Sequence, residues 1–411
     1  MELAAPKGTK DILPPESNIW EYAEDKARYI FEKSNYKEIR TPIFEATELF
    51  KRGVGAYTDI VNKEMYTFEK AERSLTLRPE NTAGVTRAYI EQGMHRLPGP
   101  IKLWYKGPMF RYERPQAGRQ RQFHQVGVEV FGVKEASADA EVIQMAMWYL
   151  NELKIPNLTL EINNIGCPDC RDEHKDRIKA EVKNKLPELC QDCQVRFEKN
   201  PLRMLDCKNE KCKEIFSSAV IDEIIKEDFA CSECSEHFSQ LQEYLKALNI
   251  DYKHNKKLVR GLDYYNRTVF EITSSSLGAQ NAVCGGGRYD PLMEMIGGPS
   301  TPAVGWAMGM ERLISLMPVP EFESLKVFIV SNLTKEALKL AEELRKEGIS
   351  TDLDFANRKF GKQLEKASKL NAEYAVILGE DELNANILTV KNLKTSEQEK
   401  LTMDEVIQKL R

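Results

Sequence analysis

FRYERPQAGRQRQFHQVGVEVFG, residues 110–132, is the stretch that best indicates how this chain folds, and it holds four arginines within eleven residues. The apolar run IKLWY at 101–105 precedes it, and the alternating run VGVEVF at 126–131 lies in its second half. Such runs predict strands, and Pro115 and Gly118 between them predict a turn. We therefore predict a hairpin with an arginine-rich loop, since the planar fork of arginine matches phosphate oxygens. A solvated, salt-bridged hairpin is the alternative.

The overall charge excludes one class of function. Lys and Arg number 59 against 64 Asp and Glu, a net charge of −5. A protein that coats nucleic acid through bulk charge is excluded, so contacts with nucleotides must come from local patches. The 42% hydrophobic content favours folded cores over disorder. The sequence shows neither a secretory segment nor an apolar run near ~18 residues, so we expect a soluble, cytoplasmic protein without a membrane partner.

The cysteines indicate how the chain is divided. Eight of the nine fall between Cys167 and Cys234, and 411 residues suggest two or three domains. Alternating strand and helix patterns over 326–411 predict a small α/β domain with a partly parallel sheet. We predict a core in two parts at 1–165 and 256–322, an inserted, mainly helical Cys-rich domain at 166–255, and a C-terminal α/β domain at 323–411.

Four further segments combine glycine, charged and aromatic residues in ways that suit a ligand: TLRPENT at 76–82, LVRGLDYY at 258–265, AVCGGGRYD at 282–290 and VGWAMGMER at 304–312. The first starts a predicted helix, where an acid and a hydroxyl can hold an ammonium group; a plain helix cap is the alternative. The second begins a predicted strand over 258–276, and ordinary aromatic packing is its alternative. The third is predicted to be a tight turn, whose glycines let the backbone approach a ligand.

Gln125 and Glu129 alternate on the second strand of the hairpin, so both can lie on one face. Glu129 stands in an otherwise apolar strand, and a buried carboxylate needs a partner. A bound cation or an N–H donor would supply that partner.

Together, these segments resemble the catalytic core of the histidyl-tRNA synthetases, a family of class II aminoacyl-tRNA synthetases, over nearly the whole chain. Thr41-Pro42 resembles the motif at the class II dimer interface, FRYERPQAGRQRQFHQ the second class motif and GWAMGMERL the third. RGLDYY and GGGRYD are similar to motifs peculiar to the histidine enzymes. The resemblance implies an α+β core, with an antiparallel sheet flanked by helices, and a C-terminal anticodon-binding domain. Asn81 departs from the family, which often has glycine there.

The resemblance implies ATP-dependent ligation of L-histidine to tRNA(His) through histidyl-adenylate, with release of AMP and diphosphate. The implied catalytic residues are Arg111 and Arg260. ATP with Mg²⁺ would be held by Arg111, Glu113, Arg119 and Arg312. Histidine would be bound by Glu80, Thr82, Arg111, Gln125, Glu129, Arg260, Tyr264 and Tyr265. The predicted turn at Gly285, Gly286, Gly287 and Tyr289 would adjoin the substrate.

The resemblance also implies partners. Arg114 and Gln116 would contact the acceptor end of tRNA, and the enzyme would be a homodimer. In the C-terminal domain, the basic residues Arg358, Lys359, Lys362, Lys366 and Lys369 are a candidate RNA face. A solvated helix is the alternative for those residues.

The clustered cysteines form four close pairs: Cys167 and Cys170, Cys190 and Cys193, Cys207 and Cys212, Cys231 and Cys234. In an intracellular chain such pairs favour structural zinc over disulfides, and eight thiolates can make two tetrahedral sites. The sequence leaves open which pairs combine, and free thiols are the alternative. His174 and His237 are alternate ligands, although surface positions are the simpler expectation for both.

Two other functions compete with this interpretation. A non-catalytic paralogue that regulates ATP phosphoribosyltransferase would resemble the core, but such paralogues tend to lose the ATP arginines and the anticodon domain. Another class II synthetase, such as the threonyl or prolyl enzyme, would lack RGLDYY. The residues of this chain favour the histidine enzyme over both.

Overall fold

The strands form three sheets and are numbered here in chain order: β1 Lys37–Glu38, β2 Phe44–Ala46, β3 Tyr66–Lys70, β4 Arg73–Leu77, β5 Ile101–Phe110, β6 Gln122–Phe131, β7 Leu158–Asn164, β8 Lys253–His254, β9 Asn266–Ser274, β10 Ala282–Arg288, β11 Ala303–Gly309, β12 Val327–Ser331, β13 Thr351–Leu353, β14 Tyr374–Leu378, β15 Leu388–Asn392 and β16 Gln398–Leu401. The α-helices in the part of the chain that the structure describes are Glu16–Lys33, Thr47–Phe50, Thr82–Glu91, Ala136–Glu152, Pro168–Val182, Gln191–Lys199, Glu210–Phe216, Ser232–Ala247, Leu292–Met295, Met310–Leu316, Thr334–Lys346, Phe360–Lys369, Glu380–Ala385 and Met403–Leu410.

This computed structural model describes residues 3–411 apart from 56–57, 117, 208, 219–220, 222–223, 225–228 and 279–280. The chain divides into two units, Met1–Val319 and Pro320–Arg411. An eight-stranded sheet of order β1-β5-β6-β11-β10-β9-β7-β8 forms the centre of the first unit, and only its two outermost pairings are parallel. The predicted α+β core with an antiparallel sheet and flanking helices is confirmed. The predicted limits of the four segments stay predictions.

The predicted hairpin is present, since β5 and β6 pair antiparallel from Ile101 opposite Phe131 to Phe110 opposite Gln122. Side chains alternate between two faces of the sheet. The even-numbered valines of β6 join the large core under the helices Glu16–Lys33 and Ala136–Glu152. Gln125, Gly127 and Glu129 therefore point to the opposite face. The alternation in the sequence thus assigns these residues to the correct side.

The prediction of a tight turn at Gly285, Gly286 and Gly287 was wrong, because these glycines lie in the central strand β10. Glycine suits a turn, but it also allows atoms to approach a strand closely. A Cβ on Gly285 would lie 1.8 Å from Arg260 Nη2, and one on Gly286 would lie 2.4 Å from the carbonyl oxygen of Gly305. The glycines therefore make room above and within the sheet. Tyr289 follows the strand and is buried.

The strand predicted over 258–276 is shorter than expected, because β9 begins at Asn266. Residues 258–265 form an irregular segment that crosses the functional face of the sheet. The Cys-rich region is helical as predicted, and its core contains Ile178, Phe197, Met204 and Phe216. None of the described helices is long and apolar enough to cross a membrane.

The second unit has a five-stranded sheet of order β13-β12-β14-β15-β16. The pairings β12–β13 and β12–β14 are parallel, whereas β14–β15 and β15–β16 are antiparallel. The prediction of a small α/β domain with a partly parallel sheet is therefore confirmed. Its helix Thr334–Lys346 buries the predicted face of Ala337, Leu340, Ala341 and Leu344.

Candidate active site and cysteine clusters

One cavity of about 290 Å³ on the glycine-lined face of the sheet brings together most of the predicted ATP residues. Its walls include Arg111, Glu113, Arg119, Gln125, Arg260, Gly285 and Arg312. These residues come from the hairpin, from the irregular segment before β9, from β10 and from the helix Met310–Leu316. Four guanidinium groups therefore converge on one space.

The hairpin holds its arginines through local contacts. Arg111 Nε donates to the carbonyl oxygen of Pro79 at 2.8 Å, and its guanidinium lies 5.3 Å from the centre of the Phe123 ring. Arg119 Nη1 donates to Glu113 Oε2 at 2.7 Å. The donors that remain on both fork-shaped groups can serve an anion in the cavity.

Arg312 lies in the first turn of its helix and donates to the carbonyl oxygen of Ala282. Burial lowers the pKa of Arg312, and the nearby charge of Arg119 lowers it further. Two cations held this close repel each other, so an anion between them would stabilise both.

The Arg260 side chain packs over β10 at Gly285, which has no side chain to block it, and forms an ion pair with Glu271 of β9. Burial opposes the charge on Arg260, but Glu271 together with Tyr265, Cys284 and Tyr264 outweighs burial, so the pKa of Arg260 is raised. Among the described residues, neither Arg260 Nε nor Gln125 Oε1 has a hydrogen-bond partner. Buried polar atoms without partners are unusual, and both residues line the cavity.

Glu129 is fully buried on the face of β6 that carries Gln125, a residue of the cavity wall. Its carboxylate accepts from Thr82 Oγ1 at 2.7 Å and from the Tyr105 hydroxyl at 3.4 Å, and the Tyr289 hydroxyl also donates to it. Burial raises the pKa of Glu129 to about 8. The partner expected for this acid is therefore supplied, at least in part, by three hydroxyl groups of the chain itself.

Glu80 caps the helix Thr82–Glu91 by accepting from the backbone N–H groups of Thr82 and Ala83, at 2.8 and 3.0 Å. The capping alternative is thus present, but it is Glu80 that caps. The Asn81 carboxamide accepts instead from Thr41 Oγ1 at 2.6 Å. Burial raises the pKa of Glu80.

Tyr264 and Tyr265 are buried next to this group, and their ring centres lie 4.7 Å apart. The Tyr264 ring also meets the Tyr289 ring edge-on at 5.6 Å. Arg114 and Gln116 are exposed at the hairpin loop, where the Gln116 backbone pairs with that of Arg119. The two tyrosines therefore belong to one buried cluster with Tyr289 and are not among the described residues that line the arginine cavity, whereas the two loop residues are exposed.

The sequence interpretation missed several site residues, among them Glu271 and Tyr105. Glu271 lies between Phe270 and Ile272 in β9, much as Glu129 lies between two valines in β6. Tyr105 gave no signal apart from its place in a predicted strand, because only the fold brings its hydroxyl to Glu129.

The eight clustered cysteines form two groups of four. Cys167, Cys170, Cys231 and Cys234 make one, and Cys190, Cys193, Cys207 and Cys212 make the other. Within each group the sulfur atoms all lie within 4.8 Å of one another. A zinc ion with ~2.3 Å Zn–S bonds places tetrahedral sulfurs roughly 3.8 Å apart. Each group can therefore hold a metal ion. The sequence left open which pairs combine; in the structure the first pair joins the last and the two middle pairs join each other, so one group is nested within the other.

Helix starts and burial act in opposite directions on the cysteine groups. Cys167, Cys190 and Cys231 each occupy the N-cap of an α-helix, and their partners Cys170, Cys193 and Cys234 lie in the first turn. Helix N-termini favour negative charge, and despite burial the pKa of Cys167 and that of Cys190 are lowered by hydrogen bonds, whereas burial raises the pKa of Cys170, Cys193, Cys212 and Cys234. The structure records all nine cysteines as free of disulfides.

The expectation of surface positions for His174 and His237 was wrong, because both are buried. The His174 ring stacks on Phe229 with 3.9 Å between ring centres. His237 Nε2 lies 3.3 Å from Asp139 Oδ1, and the same carboxylate accepts from Arg288. Neither histidine belongs to a cysteine group among the described residues.

The candidate RNA face of the second unit is salt-bridged. Arg358 and Lys366 contact Asp354, whereas Lys362 and Lys369 contact Glu365. These contacts favour the alternative of a solvated helix for those four residues. A role in RNA binding stays a prediction.

The buried Glu129 predicts a dependence of stability on pH. Its folded-state pKa of about 8 lies above the ordinary 4.5, so the folded chain keeps a proton that the unfolded chain releases as pH rises between these values. Stability must therefore fall across this window. In urea unfolding, we expect the free energy of unfolding of Glu129→Gln to rise relative to that of the parent as the pH increases from 4.5 to about 8. The exposed Glu21→Gln should show no such trend; equal behaviour of the two variants would contradict the assignment.

Family comparisons agree with the geometry. The family model of histidyl-tRNA synthetase matches residues 8–313, and the family model of the anticodon binding domain matches residues 324–411. A histidine–tRNA ligase from Desulfitobacterium hafniense (strain DSM 10664 / DCB-2) is 48% identical over 414 aligned residues, which cover 98% of this chain and 97% of that protein.

Solved structures give the same result. The crystal structure of apo S. aureus histidyl-tRNA synthetase matches with a TM-score of 0.83 and 37% identity over 100% of both chains. A structure from Bacillus halodurans C, described as an ATP phosphoribosyltransferase regulatory subunit/histidyl-tRNA synthetase, has a TM-score of 0.64 and covers 92% of this chain and 99% of its own. At 21% identity, that likeness shows the fold alone. The extent of the family match and the identity over the full length establish that the chain belongs to the histidyl-tRNA synthetase family.

Proposed function

We propose that this chain ligates L-histidine to tRNA(His) with ATP, through a histidyl-adenylate. The observation that carries this proposal is the convergence of Arg111, Arg119, Arg260 and Arg312 on one cavity. On the same sheet, Glu129 is buried among hydroxyl groups. Guanidinium groups suit the phosphates of a nucleotide. A buried acid among tyrosines suits a polar ring.

The reaction has two steps. A carboxylate oxygen of histidine attacks the α-phosphorus of ATP, and the bond to the β-phosphate oxygen breaks with release of pyrophosphate. A hydroxyl of the 3′-terminal ribose of tRNA then attacks the histidyl carbonyl carbon, and AMP leaves. Catalysis of the first step depends on positioning and on stabilising the developing charge. We assign that role to Arg111 and Arg260, which approach the cavity from different elements of the fold.

We assign Glu113, Arg119 and Arg312 to the β- and γ-phosphates of ATP. The mutual repulsion of the two arginines, visible in the lowered pKa of Arg312, supports an anion between them. Mg²⁺ bound to these phosphates would neutralise part of their charge. Glu113 already orients Arg119, which keeps one donor edge of that arginine toward the cavity.

We assign recognition of the imidazole ring to Glu129, as acceptor of a ring N–H, and to Tyr264 or Tyr265 as donor to the other nitrogen. Neutral imidazole offers one donor and one acceptor. Glu80, Thr82 and Gln125 would hold the α-amino group, and the open Gln125 Oε1 atom supports this role. The backbone of Gly285, Gly286 and Gly287, with Tyr289 beyond it, would border the substrate.

We assign Arg114 and Gln116 to the acceptor end of tRNA(His), since both are exposed at the hairpin loop. The C-terminal unit would bind the anticodon, as the match to that domain suggests. We also assign the chain to the cytoplasm. The regulatory paralogue is disfavoured, because the four arginines and the anticodon domain are all present.

Exchange of pyrophosphate into ATP, assayed with each of the twenty amino acids, tests the function. We expect histidine alone to support exchange, and we expect Arg260→Ala to reduce it on the order of 10³-fold or more. Arg28→Ala, at a residue of the first helix whose side chain is 44% exposed, is the matched control and should retain parental exchange. Near-normal exchange by Arg260→Ala would overturn the assigned role, and no exchange by the parent would overturn the function.

We propose that each group of four cysteines holds a structural Zn²⁺. Four thiolates within 4.8 Å of one another match the ligand set and spacing of tetrahedral zinc. Because the nested groups lie in the charged, helical insertion, the ions would help a segment with a small core to fold.

Metal analysis of the purified chain checks this proposal. We expect two zinc ions per chain, with one retained in Cys193→Ser and one in Cys234→Ser, because each substitution removes a ligand from one group. Cys284→Ser is the control, since Cys284 lies outside both groups, and it should retain two. Less than one zinc per chain, with all eight thiols freely reactive, would reject the idea.

We propose a homodimer that forms through the sheet of order β2-β4-β3. Phe44 and Phe68 lie on one face of this sheet, opposite Leu77 and Leu75 of β4, and are 53% and 44% exposed. A contiguous exposed apolar face is typical of an interaction surface. It follows closely on Thr41-Pro42 in the sequence.

Sedimentation equilibrium checks the dimer. We expect the parent to sediment at twice the chain mass and the double variant Phe44→Lys, Phe68→Lys at the mass of one chain, because buried unpaired cations oppose association. Phe355→Lys, at a residue that is 73% exposed in the C-terminal unit, is the control and should remain dimeric. A dimeric double variant would exclude this face.

A further inference from the structure

The Cys-rich insertion contacts the irregular segment 258–265 at two points within residues 260–265. Arg171 Nη1 donates to the carbonyl oxygen of Tyr265 at 2.7 Å. Asn200 Nδ2 donates to Asp263 Oδ1 at 2.8 Å. The same short segment carries Arg260, Tyr264 and Tyr265, which are assigned to the proposed substrates, so both contacts help to fix the backbone that positions these residues.

Both donors are attached directly to the cysteine groups. Arg171 follows Cys170 in the first turn of the helix Pro168–Val182. Asn200 ends the helix Gln191–Lys199, which begins after Cys190 and carries Cys193. Each group of four cysteines therefore has one rigid helical connection to the segment. A shift of either group would move a donor that the segment depends on.

Apart from the insertion, the segment is held by its side chains, since Arg260 pairs with Glu271 and the rings of Tyr264 and Tyr265 are buried. It has no regular secondary structure, so its backbone is not held by a strand ladder. On its opposite side, Asp263 is packed against Gly55, where a Cβ would lie only 2.5 Å from Asp263 Oδ2. The Asp263 N–H points to the carbonyl oxygen of Val54 at 3.4 Å. The carboxylate is thus confined between a glycine and the Asn200 amide.

We propose that Arg171 and Asn200 are positioning residues through which the two metal-binding cysteine groups set the geometry of the histidine-binding segment. Metal in the insertion then controls affinity for the amino acid, while the ATP arginines of the hairpin and of the helix Met310–Leu316 are held independently. This inference rests on the proposed function, and it assigns the insertion a role in amino-acid binding.

The variants Arg171→Ala, Arg171→Lys and Asn200→Ala test the proposal in the zinc-loaded full-length chain. Histidine affinity is measured by titration calorimetry, KM for histidine and for ATP by pyrophosphate exchange, and zinc by metal analysis. Each of these hydrogen bonds involves one charged group, so loss of either should weaken histidine binding about tenfold. We expect KM for ATP and zinc content to stay at parental values, and Arg171→Lys to restore most of the affinity.

Glu173→Gln and Glu198→Gln are the controls, since both residues are exposed on the same two helices, and they should bind histidine as the parent does. Chelation followed by reloading with zinc should lower and then restore histidine affinity. Parental histidine affinity in both alanine variants would overturn the inference, as would an equal rise in both KM values. A parent that supports no histidine-dependent exchange would instead overturn the proposed function.

Discussion

Bare backbone on one face of the eight-stranded sheet is the constraint on which the site depends. Gly285 of β10, Ala307 of β11 and Gly127 of β6 lie in one row across three neighbouring strands. A Cβ on Gly127 would lie 2.5 Å from the Tyr105 hydroxyl, and one on Gly305 would lie 1.9 Å from Glu129 Oε2. Protein interiors are close-packed. The Arg260 guanidinium and the Glu129 carboxylate therefore fit here only because the strand residues next to them are glycines. The opposite face of the same strands carries the large core.

The sequence predicted the parts of this arrangement that depend on local periodicity. Alternation along β6 correctly placed Gln125 and Glu129 on one face, and the arginine-rich loop followed from Pro115 and Gly118. The glycines at 285–287 were misassigned to a turn, because freedom of backbone and absence of a side chain give the same signal in a sequence. Glu271 was missed although it carries the same signal as Glu129. The burial of His174 and His237, the hydroxyl from Tyr105 and the grouping of the cysteines depend on contacts between distant segments, which no local pattern encodes.

Electrostatics in the cavity are balanced only in part. Glu113 and Glu271 each hold one arginine, whereas Arg119 and Arg312 repel each other within a space that burial has already made unfavourable for charge. Ligands that bind only the folded state stabilise it. A polyphosphate that relieves this repulsion would therefore stabilise the first unit as well as occupy it. Without an anion, this repulsion lowers the stability of the folded chain, and its relief on binding adds to the affinity for an anion.

The nested grouping of the cysteines would favour one order of assembly for the proposed zinc sites. The inner group spans 23 residues, from Cys190 to Cys212, whereas the outer group must close a loop of 68 residues, from Cys167 to Cys234. Loop closure becomes more costly as the loop lengthens. During synthesis the inner group is also complete before Cys231 has been made. Once closed, it shortens the flexible path between the outer pairs, so the insertion can assemble from its centre outward while the second half of the catalytic core is still being translated.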